Sequence, residues 1–146
     1  APAVGRPSRG PLHAFVVHWL PPLVFYGLLT ALSSIPGQRL PKVHVRNIDK
    51  AVHLVAYAPL GALLARALLR TTPLSPWAVV VGATALCFGA GILDEYHQTF
   101  VPGRSQEWRD VLADTLGGGL GAFLGLLALA GLDRRRSAAR HRGPFR

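Results

Sequence analysis

The stretch Thr71-Thr72-Pro73-Leu74-Ser75-Pro76-Trp77-Ala78-Val79-Val80-Val81-Gly82-Ala83-Thr84-Ala85-Leu86-Cys87-Phe88-Gly89-Ala90-Gly91-Ile92-Leu93 is 23 residues without a charged side chain. An apolar bilayer core is about 30 Å thick and a helix rises about 1.5 Å per residue, so roughly 20 such residues make one span. Pro73 and Pro76 mark its start, and Trp77 stands where an interfacial anchor belongs. A helix in a soluble bundle needs a polar stripe, and residues 77–93 offer almost none. The fold is decided by how often this pattern recurs.

It recurs three more times. Gly10 to Gln38 is uncharged and predicts a span near 13–34, interrupted by Pro21 and Pro22, which a membrane helix accommodates as a kink when neighbours satisfy the freed carbonyls. Ala51 to Ala65 is shorter, but Asp49, Lys50 and Arg66 can extend to the headgroups from its ends, giving a span near 49–70. The third span is placed near 75–97. The fourth, near 110–132, is glycine-rich and stops at Asp133 and an arginine cluster. The expected fold is all-α: a polytopic bundle of four transmembrane helices over 13–132, between a basic flank (1–12) and an Arg-rich tail (133–146). A secretory signal peptide cleaved after Ala31-Leu32-Ser33 is the alternative for the first segment, but the apolar run is longer than the usual 7–15 residues and holds a proline pair.

The composition agrees with a membrane protein. Half of the 146 residues are hydrophobic, 16% are charged and the mean hydropathy is +0.31, against about 25% charged in an ordinary soluble domain. The lone Cys87 excludes an internal disulfide and a multi-cysteine zinc site. The net charge of +9 would in a soluble protein suggest nucleic acid. Here the basic tail has no aromatic interleaving, so no nucleic acid is expected and anionic lipid headgroups are its natural neighbours.

Orientation follows from the Lys and Arg of alternate flanks. With both termini inside, the inner side collects Arg6, Arg9, Arg66, Arg70, Arg134, Arg135, Arg136, Arg140, Arg142 and Arg146, ten in all; the outer side collects Arg39, Lys42, Arg46, Lys50, Arg104 and Arg109, six. Cytoplasmic termini are expected.

The acids do not follow this balance. Six of the seven, Asp49, Asp94, Glu95, Glu107, Asp110 and Asp114, fall at span ends on the outer side, and only Asp133 lies inside. Ionisable groups near membrane depth are costly and are functional candidates by default. Asp49, His53 and Tyr57 are spaced i, i+4, i+8 along one stripe. Asp94 and Gln98 share a face with Glu95 a step round. Asp110 and Asp114 begin a stripe that continues as Gly117, Gly121 and Gly125, two overlapping small-xxx-small motifs at which another helix can approach. The turn Phe100-Val101-Pro102-Gly103-Arg104-Ser105 is expected to carry Arg104 back over the acids, where a guanidinium can neutralise a carboxylate or fork onto a phosphate.

Three ordered blocks carry a family resemblance: Asp49-Lys50-Ala51-Val52-His53 with Tyr57, then Asp94-Glu95-Tyr96-His97-Gln98-Thr99-Phe100-Val101-Pro102-Gly103-Arg104-Ser105, then Asp110-Val111-Leu112-Ala113-Asp114-Thr115-Leu116-Gly117. Over roughly residues 20–130 the chain resembles the VanZ-like family of small bacterial membrane proteins. Where many relatives carry Asn this chain has Asp114, an added negative charge. The resemblance implies a multi-pass protein of the bacterial cytoplasmic membrane. It also implies a link to the cell envelope and to glycopeptide (teicoplanin-type) resistance, from which the family takes its name.

The expected function is an outward-facing polar pocket that binds an anionic lipid or a lipid-linked cell-wall intermediate. Its residues are Asp49, Lys50, His53, Tyr57, Asp94, Glu95, Gln98, Arg104, Asp110 and Asp114, with Lys50 and Arg104 toward negative groups. One rival is an intramembrane hydrolase or transferase with Glu95 or His53 as general base. Another is a helix-packing subunit whose polar cluster only holds the bundle together. Asp49, His53, Glu95, Asp110 and Asp114 are ligand types for a divalent metal. No single segment carries a His-Glu-x-x-His or comparable pattern, so no cofactor is expected.

Overall fold

The computed structural model describes residues 10–39 and 48–141. Arg6, Arg9, Lys42, Arg46, Arg142 and Arg146, on which the orientation count partly rests, lie outside them. Four helices make up the fold: α1 (Pro11–Ser33), α2 (Ile48–Thr71), α3 (Pro76–Gln98) and α4 (Trp108–His141), with a 3-10 turn at Gly37–Arg39. All four are long and apolar enough to cross a membrane. Helices are what a bilayer permits, because each closes its own backbone hydrogen bonds where no water is available.

Local signals set the ends. α3 starts at an extended Ser75 whose hydroxyl accepts from the Ala78 N–H, with Pro76 in the first turn, where its missing N–H costs nothing. α1 likewise starts with a proline, Pro11, after an extended Gly10, but without a side-chain cap, and runs unbroken through Pro21 and Pro22. The expected span limits hold to within a few residues except at the end of α4. That helix continues through Asp133 and the arginines to His141 rather than stopping at 132. Charge ends a span but not a helix, since Arg and Ala are strong helix formers and no Gly or Pro interrupts residues 132–141.

The interior is assembled from close backbone contacts. α2 and α4 run parallel: a Cβ placed on Gly117, Gly121 or Gly125 meets Leu54, Ala58 or Ala62 in turn, and one on Gly61 meets the Gly118 carbonyl. The small-residue stripe of α4 is therefore the groove that takes α2. α3 lies antiparallel on the other side of α4, with Gly91 against Asp114 and Cys87 against Gly118. Cys87 is wholly buried in a core with Tyr57, Leu60, Leu64, Val79, Ala83 and Ala122. α1 is tied to α2 and α3 from its middle turns, through Trp19 Nε1 to Thr71 Oγ1 (3.2 Å) and Tyr26 OH to the Ala90 carbonyl (3.2 Å).

The outside is as apolar as the inside. Leu23, Val24, Leu28, Val55, Leu93, Leu116, Phe123 and Leu127 all project from the bundle. The buried side chains instead include Asp94, Glu95, Gln98, Asp110 and Asp114. In water that distribution would be inverted; with lipid as the solvent it is the expected one.

Candidate functional site

The buried polar residues sit at one end of the bundle, where α1 and α3 finish and α2 and α4 begin. α2 brings Asp49, Lys50, His53 and Tyr57, α3 brings Asp94, Glu95 and Gln98, and α4 brings Asp110 and Asp114. Because α2 and α4 are parallel and α3 is antiparallel to both, three stretches far apart in sequence reach the same depth.

Two clusters share Asp110. In the outer one the Lys50 ammonium meets Asp49, Glu107 and, at 2.9 Å, Asp110 Oδ1. In the inner one, His53 Nδ1 lies 2.9 Å from Asp114 Oδ1, and His53 Nε2 lies 3.9 Å from Asp110 Oδ2. The first distance is a hydrogen bond and the second is too long for one. A carboxylate oxygen only accepts, so His53 donates from Nδ1 to Asp114, and its other ring nitrogen, Nε2, faces Asp110.

Glu95 is wholly buried. Its Oε2 accepts the Glu107 backbone N–H at 2.7 Å, which anchors the segment entering α4. Its Oε1 has no hydrogen-bond partner from the protein, and Asp114 Oδ2, Asp94 Oδ1 and the Tyr57 hydroxyl share that condition. Unpaired buried polar atoms are uncommon in native proteins, and each costs about 1–3 kcal/mol unless a group from outside the chain meets it.

Asp94 Oδ2 accepts from Ser33 Oγ (2.8 Å) and from Gln98 Nε2 (3.1 Å). Ser33, also buried, was legible only as a small residue of a cleavage-site pattern; its partnership with Asp94 instead ties the end of α1 to the site. Glu107 is a further residue that helical spacing did not single out, since its contribution is a backbone N–H and an ion pair set by the turn.

The Pro-Gly turn does fold back over this end. Gly103 adopts a left-handed φ of +75°, and the Gly37 N–H donates to the Pro102 carbonyl at 3.0 Å. Arg104, however, is directed to the segment just after α1, with Nε 3.3 Å from the Ile35 carbonyl. Among the described residues the basic side chains that meet the site's acids are Lys50 and His53. The arrangement offers free acceptor oxygens, a histidine oriented by a carboxylate, and a half-buried lysine at the rim.

Four apolar helices around a polar site at one end define a small multi-pass membrane protein. The VanZ/LLP1 family profile matches residues 12–129, and the chain belongs to that family. No curated protein and no solved structure matches it.

Proposed function

We propose that the chain uses this site to hold the polar head of a lipid-linked cell-envelope component on the outer face of the bacterial cytoplasmic membrane. The lipid tail lies along the apolar helix faces. The observation that carries the reading is the set of unpartnered buried atoms, Glu95 Oε1, Asp114 Oδ2, Asp94 Oδ1 and Tyr57 OH, gathered at one end of a membrane bundle. Three of the four are carboxylate oxygens, which accept hydrogens from hydroxyl or amine groups. With Lys50 committed to three acids and Arg104 to a carbonyl, a hydroxylated head such as that of a cell-wall intermediate suits the site better than a simple anionic phospholipid. The outward orientation rests on the ten-to-six distribution of basic residues.

The decisive experiment is lipidomics on the detergent-purified protein before and after incubation with envelope lipids. Retention of a lipid-linked sugar head over phosphatidylglycerol of equal chain length, lost in Glu95→Gln, supports the reading. Equal retention of both lipids by wild type and variant overturns it. The His53–Asp114 hydrogen bond favours a second reading, in which His53 is a general base held by Asp114 for hydrolysis or transfer at the same head. Recovery of a converted lipid supports that one. Altered glycopeptide sensitivity in a host expressing the protein is the cellular readout for either.

A further inference from the structure

We infer that His53, Glu95 and Asp110 form a binding site for one divalent transition-metal ion, zinc or manganese by ligand type. Each of these residues offers one ligand atom, and the three atoms lie within 4.8 Å of one another. At coordination distances of about 2.0–2.2 Å, ligand atoms around one ion stand roughly 3–4 Å apart, and His53 Nε2 and Asp110 Oδ2 are at 3.9 Å. That spacing is too long for a mutual hydrogen bond and suits two groups facing one ion.

Three further observations point the same way. The wholly buried Glu95 keeps Oε1 without a protein partner, an acceptor left open beside the other two ligands. Asp114 accepts from His53 Nδ1 and so fixes the tautomer that presents Nε2; a carboxylate behind a ligating histidine is the usual support of such a ligand. The charges are also unequal between the clusters. Asp49, Glu107 and Asp110 group as closely as the other three, but the Lys50 ammonium already touches all of them. On the His53 side Asp110 is shared with Lys50, but among the described residues neither Glu95 nor Asp114, both wholly buried, has a lysine or arginine paired with it. One imidazole with two carboxylates selects a borderline metal over calcium, and three protein ligands leave a position open for water or a bound head. The ligands come from α2, α3 and α4, one from each, which is why no single segment carries a metal motif.

The inference does not depend on the lipid reading, and its test uses no lipid. The protein in detergent is stripped with chelator, offered zinc, manganese, magnesium or calcium separately, desalted and assayed for bound metal and for thermal midpoint. The expected result is about one equivalent of zinc or manganese with a raised midpoint. His53→Ala and Glu95→Gln abolish retention, Asp114→Asn weakens it about 10–100-fold, and Asp49→Asn leaves it unchanged. X-ray absorption on the loaded wild type, free of any question about variant folding, shows one nitrogen among oxygen ligands. Retention below a tenth of an equivalent for all four metals overturns the inference. So does a first shell without nitrogen, or loss of the ion in Asp49→Asn with retention in His53→Ala.

Discussion

Lys50 Nζ lies 2.9 Å from Asp110 Oδ1, and the same ammonium joins Asp49 and Glu107. One cation at the start of α2 thereby holds the start of α4 and the segment before it. Arg104, the cation the sequence put forward for this work, instead ties the α3–α4 turn to the segment just after α1.

The two cations therefore differ in weight. Lys50→Gln leaves the buried Asp110 without its counter-charge and is expected to destabilise the protein in detergent by about 2–4 kcal/mol. Arg104→Gln removes one hydrogen bond to a carbonyl and costs about 0.5–1.5 kcal/mol. Denaturant or thermal titration of both variants measures the order, and a larger effect at Arg104 contradicts it.

Asp114 is wholly buried against His53 and Gly91. Asp114→Ala strands the His53 N–H and opens a void, at a cost of about 1–3 kcal/mol. Asp114→Asn keeps an acceptor oxygen of the same shape and is expected to cost less than half as much. Equal losses for the two would mean that charge, not the hydrogen bond, is what His53 needs.

Glycine positions give effects of opposite sign. A Cβ at Gly121 overlaps the Ala58 carbonyl, so Gly121→Ala must separate α2 from α4 and is expected to cost about 1–3 kcal/mol, and Gly121→Leu to abolish the folded protein in detergent. Gly27 has no atom within 4 Å of the same position. Gly27→Ala is expected to be neutral or stabilising by up to about 1 kcal/mol, as alanine is the better helix former. Monodispersity and thermal midpoints of the three variants decide this.

The proposed orientation has its own test. A reporter fused after Arg146 is expected in the cytoplasm and a tag inserted near Gln38 outside. Finding both on one side breaks the alternation of four spans.

The number of the helices and their limits, apart from the end of α4, were legible because charge-free length is a one-dimensional property, readable from Thr71 to Leu93 without a neighbour. The stripe of Gly117, Gly121 and Gly125 was legible for a similar reason: it belongs to one helix. What lay beyond the sequence was whatever depends on rotation and register between helices. Helical spacing placed Asp110 and Asp114 on one face. The sliding of α2 along α4 then gave Asp110 to Lys50 and Asp114 to His53. The parts played by Ser33 and by the Glu107 backbone N–H escaped notice because a lone serine in an apolar segment and a backbone N–H before a helix have no signature of their own.

The parallel seam between α2 and α4 bears on how the protein is made. His53 and Asp114 are 61 positions apart, about 3–12 s of synthesis at roughly 5–20 residues per second. For that interval α2 waits in the membrane with Lys50 and His53 lacking their partners from α4 and the segment before it, and its Ala58 and Ala62 faces lack the groove into which they pack. α4 completes both the packing and the polar site, so a chain that ends before residue 108 keeps the hydrogen bonds that join α1 to α2 and α3 but lacks the seam that buries the small-residue face of α2.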